Sequence, residues 1–297
     1  MRAMNDSRFG YPHERILVGL LSIATGVLLI YLAIMGPLVL GSIVYKTAAT
    51  AIYQIMGQDL VNLALLSILA IGSGIALILE KGIARFLILS TPLYLIYYVL
   101  SYTVGLEWSS ARYAGNSEKY TWHFLFIMVA SVITLLYALS IFPKTFKPAF
   151  QKKTLAVYSV LFTLFLTLFA LMWLKEIREV ISAGTTRSYG EIPTAFWLIR
   201  YFDLGFTIPL GFLSVYLLWT RPEGTAAVQF LFYGFFTTMI VAVNSMGLTM
   251  LVKRDPEFRM ADMAVFLGLG LIVFTGFIYM LKNYGIIRKG KPKQAVA

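Results

Sequence analysis

Eight charge-poor apolar stretches recur along the chain, and they constrain its fold more than any other feature. A helix of about 20 apolar residues crosses the hydrocarbon core of a bilayer, which is about 30 Å thick. We therefore predict an all-α polytopic membrane helix bundle with eight transmembrane helices. The predicted spans are residues 16–44, 59–79, 83–105, 120–142, 155–174, 193–220, 225–251 and 260–281.

The composition supports this class of protein. Hydrophobic residues make up 59% and charged residues 13% of the 297 positions, whereas soluble domains average about 45–50% apolar and about 25% charged. Cysteine is absent and there are only two histidines, which excludes Cys-ligated and His-rich metal centres. The nucleotide-binding, zinc-hydrolase and serine-hydrolase motifs are also missing. We therefore assign no catalytic residue, no metal ligand and no cofactor.

The charges of the connectors are distributed unequally between the two sides of the bundle. Lys and Arg prevail on the side of the two termini, as at Lys81 and Lys144, whereas Asp and Glu prevail on the other side, as at Glu176 and Asp255. The entire formal net charge of +11 falls on the first side. Positive residues remain cytoplasmic, so we predict a multi-pass protein of the cell membrane with cytoplasmic N- and C-termini. The same charges predict membrane lipids as partners and no nucleic acid.

The second and sixth spans resemble one another. Each has an aspartate near its outer end, Asp59 and Asp203, and a Glu-containing turn that ends in a glycine near its cytoplasmic end. Four spans separate the copies, so both copies have the same orientation. We predict two parallel four-helix repeats, residues 1–150 and 151–297, related by a pseudo-two-fold axis along the membrane normal. The alternative is chance similarity between apolar helices.

The polar side chains of the spans lie at one depth. At 1.5 Å per helical residue, they lie roughly 25–33 Å from the cytoplasmic ends, near the outer edge of the hydrocarbon core. The cytoplasmic half of the spans is almost entirely apolar. We predict that the polar layer lines an outward-facing pocket between the halves. The predicted ligand-binding residues are Asp59, Tyr98, Tyr102, His123, Arg200, Asp203 and Asn244.

Simpler roles exist for several of these residues. Asp59 opens a predicted span and suits an N-cap, the tyrosines suit an aromatic belt, and His123 suits an interfacial position. Arg200 and Asp203 are three residues apart, so we predict that they pair on one face of their helix. Such a pair either lines a cavity or locks helices together.

Two long outer connectors, residues 47–57 and 175–191, each precede one of the two aspartates. The second connector is amphipathic, because Ile177 and Ile181 lie opposite its charged residues. We predict interfacial helices at both places. They form either a rim over the pocket or a plain membrane anchor.

Short elements in four spans carry a resemblance. They are Gln58-Asp59, the tyrosine-rich stretch of residues 93–105, and Asp203-Leu204-Gly205 with Pro209. Together they resemble a group of uncharacterised prokaryotic multi-span membrane proteins. The resemblance covers spans two, three, six and seven and implies no activity or ligand.

Three functions are compatible with these features. We favour binding or transport of a lipid-like or weakly polar small molecule, because no charged residue marks an ion path through the cytoplasmic half. The second is a structural or accessory membrane subunit, whose polar layer only sets the helix register. The third is a membrane-embedded enzyme acting on lipid at the outer leaflet, with Asp59 or Asp203 as general base and His123 as its partner.

Overall fold

The computed structural model describes residues 9–144, 146–186 and 189–286. Within these ranges the protein is all-helical, and eight helices are long and apolar enough to cross a membrane. The predicted all-α bundle with eight spans is confirmed. The termini that we predict to be cytoplasmic, residues 1–8 and 287–297, lie outside the described residues. The helices are α1 (Pro12–Met35), α2 (Ala49–Ile78), α3 (Ala84–Tyr102), α4 (Ser117–Ile141), α5 (Lys152–Ala183), α6 (Pro193–Thr220), α7 (Ala226–Val252) and α8 (Met260–Asn283).

α1 ends earlier than the sequence pattern predicts. Its last residue is Met35, and Gly36 and Pro37 follow it. Proline has no N–H to donate to the carbonyl of Ala33, and it disfavours helical backbone in the residue before it. Residues 36–48 therefore leave the helix and form an outer connector.

α2 begins earlier than predicted. Its first residue is Ala49, so most of residues 47–57, which we predicted to be an interfacial connector, belongs to the spanning helix. No proline interrupts this stretch. Asp59 consequently lies inside the helix, and its interpretation as an N-cap is wrong.

α5 extends beyond its predicted end and is a single helix of 32 residues. We predicted a separate interfacial helix in residues 175–191, but neither proline nor glycine interrupts the chain before Gly184. Gly184 ends the helix with a φ of 73°, the left-handed conformation that glycine adopts at low cost. The charged residues of this section, Glu176 among them, therefore continue the apolar span.

α2 and α6 each contain one π-helical turn, and each turn lies beside one of the two aspartates. The turn in α2 spans Asn62–Leu66, just after Asp59, and the turn in α6 spans Asp203–Thr207. Pro209 accounts for the second turn, because a proline clashes with the carbonyl four residues before it and a wider turn relieves that clash. Such π turns are rare and often occur at functional positions.

α1 to α4 pack together into a compact first unit. α1 and α2 approach closely at small residues: a Cβ on Gly19 would lie 2.5 Å from Ile78 Cγ1. Nearby, the Ser22 hydroxyl donates to the Ala70 carbonyl at 2.7 Å. Close approach at small residues and interhelical hydrogen bonds are the usual sources of cohesion between membrane helices.

A small cavity lies inside the first unit. Its volume is about 10 Å³, which is room for about one water molecule. It lies about 10–20 Å, at 1.5 Å per residue, from the helix ends that we predict to be cytoplasmic. Hydroxyl groups therefore interrupt the apolar packing that we predicted for this depth. They belong to Ser22 and Thr25 of α1, Thr91 at the kink of α3, and Ser131 and Thr134 of α4.

α7 connects the second half of the chain to the first unit. A Cβ on Gly57 of α2 would lie 2.5 Å from Met246 Cα, and a Cβ on Gly234 of α7 would lie 2.7 Å from Ser90 Cα. The Ser245 hydroxyl also donates to the Gly57 carbonyl at 2.7 Å. The backbone of α7 is therefore in direct contact with both α2 and α3.

The other helices of the second half are more exposed. Only 17% of the most apolar section of α5 is buried, against 61% for α7. The exposed side chains of α5 are large and apolar, as at Leu164, Leu168 and Leu171. A surface of this kind suits contact with lipid or with another apolar protein surface.

We expect Gly57→Ala to destabilise the protein, because an added methyl group has no room between α2 and α7. Overpacking of this kind costs about 1–3 kcal/mol. Gly72→Ala is the matched control in the same helix, since nothing lies within 4 Å of a Cβ at that position. Thermal midpoints of the purified variants in detergent measure the effect. Equal midpoints for the two variants would contradict the close contact.

Candidate functional site

The seven predicted binding residues do not form one pocket. The structure separates them into a buried group in the first unit, a half-buried group between α5 and α6, and two isolated residues. The buried group contains Asp59, Tyr98 and Tyr102, and the half-buried group contains Arg200 and Asp203. The isolated residues are His123 and Asn244.

Asp59 is the centre of the buried group. It is 1% exposed, and its Oδ1 accepts a hydrogen bond from the Tyr102 hydroxyl at 3.1 Å. The Asp59 Oδ2 atom has no hydrogen-bond partner among the described residues. Tyr98 is fully buried beside Tyr102, with 4.4 Å between the ring centroids. One carboxyl oxygen is therefore satisfied and the other is not.

Amide and phenol groups extend this buried group. The Gln58 Nε2 atom donates to the Tyr94 hydroxyl at 3.1 Å, and that hydroxyl donates to Asn62 Oδ1 at 3.2 Å. The Asn62 amide approaches the carboxyl of Asp59, although its Nδ2 completes no hydrogen bond. We refer to these residues as the buried polar group: Gln58, Asp59, Asn62, Tyr94, Tyr98 and Tyr102.

An outer cap covers the buried polar group. It consists of residues 42–46, in the connector after α1, and residues 107–118, which are most of the connector between α3 and α4 with the first two residues of α4. Asn116 holds the two segments together, because its N–H donates to the Val44 carbonyl and its Oδ1 accepts from the Val44 N–H, both at 2.9 Å. The side chain of Lys46 adds an ion pair with Glu118 at 2.6 Å.

Tyr45 is the side chain of the outer cap that reaches the buried polar group. It is 2% exposed and packs edge-on against Tyr102, with 5.4 Å between the ring centroids. Burial raises the pKa of its hydroxyl well above the ordinary value, and the nearby carboxyl of Asp59 adds to this effect. Because the outer cap closes off the buried polar group, the open pocket that we predicted is not seen at Asp59, Tyr98 and Tyr102.

Arg200 binds Glu176 of α5, and no ion pair between Arg200 and Asp203 occurs among the described residues. The Arg200 Nε atom donates to Glu176 Oε2 at 3.1 Å, and its Nη2 donates to the same oxygen. The guanidinium lies 4.3 Å from the ring centroid of Trp173 and 3.9 Å from that of Phe196. Asp203 Oδ2 instead accepts from Trp173 Nε1 at 3.0 Å. The predicted pair is wrong because α5 brings a closer acid to this level.

α3 separates the two groups. Tyr94 and Tyr102 bond to α2, whereas Tyr97 packs against Phe202 of α6, with 4.7 Å between the ring centroids. Tyr97 also packs against Phe235 of α7 at 6.1 Å. Asp59 and Asp203 therefore lie on different sides of α3 and share no site.

His123 and Asn244 lie apart from both groups. His123 stacks on Tyr31, with 5.3 Å between the ring centroids, and its Nδ1 has no described partner. Asn244 connects α7 to α8, because its Nδ2 donates to the carbonyls of Ile240 and Phe266 at 2.8 Å and 3.1 Å. None of the described hydrogen bonds joins His123 to an aspartate, so the general-base arrangement of the enzyme hypothesis has no support.

Glu176, Trp173 and Tyr45 contribute to these sites and were missed by the sequence predictions. The absence of Gly and Pro before Gly184 was the available signal for the first two, because it indicates that α5 carries both residues on one face. Tyr45 offers no such signal. Its burial depends on pairing between two connectors that are far apart in the sequence.

Comparisons with known proteins do not identify a family for this chain. Among the described residues, no group of three or more His, Asp and Glu side chains could hold a metal ion. No protein family, curated protein or solved structure matches the chain. The function has to be argued from the contacts described above.

We expect Arg200→Ala to cost about 1–3 kcal/mol of stability, because it leaves the partly buried Glu176 side chain without its partner. Combining it with Glu176→Gln should recover much of that loss. Combining it with Asp203→Asn should not recover the loss, because Asp203 bonds to Trp173 and does not lose a partner when Arg200 is removed. Unfolding midpoints of the three variants check this. If stability recovers in the double variant with Asp203→Asn but not in the one with Glu176→Gln, the predicted pair of Arg200 with Asp203 is favoured.

Proposed function

We propose that this integral membrane protein binds or transports a lipid-like or weakly polar small molecule at the buried polar group of its first unit. Asp59 carries the proposal, because its carboxyl is 1% exposed and one of its oxygens has no described partner. Ionisable residues in membrane spans are costly and are usually paired or functional. A polar atom without a partner at such a position favours the functional explanation.

The outer cap covers the buried polar group, and this supports the proposal that the structure is an occluded state of a binding site that opens outward. Its two segments are held by surface contacts such as the ion pair of Lys46 with Glu118, whose side chains are 20% and 45% exposed. Exposed ion pairs contribute little stability. Separation of residues 42–46 from residues 107–118 breaks this ion pair and the hydrogen bonds between Asn116 and Val44, and it would convert the buried polar group into an outward pocket. This pocket would lie within the first unit and not between the halves.

We also propose that the two halves are parallel four-helix repeats. The π turns near Asp59 and Asp203 support this, because a rare feature then occurs in both the second and the sixth span, beginning three residues after Asp59 in one and at Asp203 in the other. Consecutive helices contact one another in both halves, although the contact of α1 with α4 has no comparable counterpart between α5 and α8. Parallel repeats of this kind are common in membrane transporters.

A structural or accessory subunit is the second candidate, and the lateral face of α5 favours it. Ser159, Thr163 and Thr167 lie four residues apart along a shallow groove of about 410 Å³. Thr163 and Thr167 are exposed. Small residues at this spacing allow close approach of another membrane helix. On this alternative, the buried polar group serves only to hold α2 and α3 in register.

The cell membrane location, the cytoplasmic termini, lipid contacts and kinship with uncharacterised prokaryotic multi-span proteins belong to the same proposal. Within the described residues, the large exposed apolar surface is what supports contact with lipid. The basic connectors near Lys81 and Lys144 support the orientation, because positive residues are retained on the cytoplasmic side.

The orientation predicts opposite labelling of two introduced cysteines, and the cysteine-free chain makes this experiment clean. Ser109→Cys, in the exposed part of the outer cap, should react with a membrane-impermeant maleimide in intact cells. Gly82→Cys, in the exposed connector between α2 and α3, should react only after permeabilisation. The reverse pattern would contradict cytoplasmic termini.

Opening of the outer cap predicts slow labelling of a third position. Ser117 is fully buried, and Ser117→Cys changes the size of the side chain little. We expect Ser117→Cys to react with the impermeant maleimide more slowly than Ser109→Cys but measurably. Ser73→Cys, fully buried deep in α2, is the control that should stay unreactive.

If Ser117→Cys is as unreactive as Ser73→Cys, the occluded-transporter proposal is contradicted and the accessory subunit is favoured. Native mass spectrometry of the purified wild-type protein provides the companion measurement. A lipid or metabolite retained by the wild type and lost in Tyr102→Phe would support binding at the buried polar group.

A further inference from the structure

Asp59 Oδ2, the atom without a partner, lies against the end of α1. A Cβ on Gly36 would lie 2.7 Å from this oxygen, 3.0 Å from the Leu32 carbonyl oxygen and 3.6 Å from the Ala33 carbonyl oxygen. Gly36 has a φ of −72°, which any residue can adopt. Glycine is therefore needed here for space, and the carboxyl oxygen shares that space with two backbone carbonyl oxygens.

The end of α1 has no spare donor for these oxygens. The Leu32 carbonyl accepts the Gly36 N–H at 2.8 Å. The helical donor for the Ala33 carbonyl would be residue 37, which is a proline without an N–H. There is no basic residue in the last turn of the helix. From the end of α1, a carboxylate at this place would meet acceptors only, at the negative end of the helix dipole.

No positive charge in the part of the chain that the structure describes compensates Asp59. Among the described residues, none of the ion pairs involves it, and the side chains that influence its carboxyl are the neutral Tyr102 and Asn62. An ionised carboxyl buried without a counter-charge carries a large free-energy cost. The side chains that surround Asp59 from the neighbouring elements also carry no positive charge. They are Tyr94, Tyr98 and Tyr102 from α3, Tyr45 from the outer cap, Phe124 from α4, Ser245 from α7 against Gly57, and Asp255 against Thr50 near the start of α2.

We infer that Asp59 is a proton-binding site, with a hydrogen on Oδ2 that is donated to the carbonyl oxygen of Leu32 or Ala33. Oδ1 is then the carbonyl oxygen of the acid and accepts the Tyr102 hydroxyl. This arrangement pairs the orphan oxygen, removes the charge and needs no space for a metal ion. When water reaches Oδ2, the proton passes to water and a carboxylate remains. The site then gains one negative charge.

Infrared spectroscopy of the protein in lipid vesicles tests this inference, because a protonated carboxyl has a C=O stretch that is separate from the carboxylate bands. We expect a protonated-acid band in the wild type at neutral pH. The band should be lost in Asp59→Asn and kept in Asp203→Asn, the matched replacement in the other half. A spectrum without an Asp59-dependent acid band at neutral pH overturns the inference.

Tyr102→Phe provides a second variant in case Asp59→Asn does not fold. It removes the hydrogen bond to Oδ1, so the acid band should move to higher frequency without losing intensity. A band that does not move overturns the assignment to Asp59. An alkali cation is the competing occupant: a thermal midpoint raised by sodium chloride relative to choline chloride, in the wild type but not in Asp59→Asn, also overturns the inference.

The proton site concerns the same residues as the proposed function but does not require transport. An Asp59-dependent acid band together with an unreactive Ser117→Cys supports the proton site and contradicts only the opening of the outer cap. A reactive Ser117→Cys without the acid band supports opening and overturns only the proton site.

Discussion

The bilayer core contains no water, so every polar group within the spans needs a partner from the chain itself. The first unit meets part of this requirement by close approach of its helices. Ser22 donates across to the backbone of α2, and Ser245 of α7 donates to the carbonyl of Gly57. Both bonds depend on small residues that let the backbones come together. Asp59 differs from these serines, because its Oδ2 has no described partner and lies against the carbonyl oxygens that end α1.

The number of spans was predictable from the sequence because hydropathy is summed over about 20 residues and tolerates local errors. The ends were less predictable. The apolar pattern continues past Gly36-Pro37, although that pair is a local stop signal, and it hides the true end of α1. The start of α2 had no such signal, since residues 47–57 are uncharged and mixed in character. Tertiary packing decided that this stretch is helical.

The candidate site was predictable only in part. Asp59, Tyr98 and Tyr102 follow from helical spacing and common depth, which are properties of single helices. The partner of Arg200 depends on how far α5 extends and on its register against α6, and spacing within α6 cannot reveal either. The burial of Tyr45 depends on two connectors that meet only in the folded protein. Residues whose roles depend on contacts between distant segments were therefore missed.

The two aspartates show how one local motif acquires different roles. Each lies beside a π turn, yet Asp59 is sealed and Asp203 is half-buried against Trp173. α7 accounts for the difference. Its backbone touches α2 at Gly57, whereas the α6 atom nearest to a Cβ on Gly105, just after α3, is the side-chain Cδ2 of Leu198.

On the proposed duplication, α7 removed the first aspartate from lipid and left the helices around the second exposed. The first unit thereby gained a closed polar interior. Such an interior suits the proposed binding, because water is excluded from the carboxyl of Asp59 until the outer cap opens. The second unit kept a broad apolar face on α5, which suits association. The two candidate functions therefore rest on different halves, the proposed binding on the first and the proposed association on the second, and this asymmetric contact separates them.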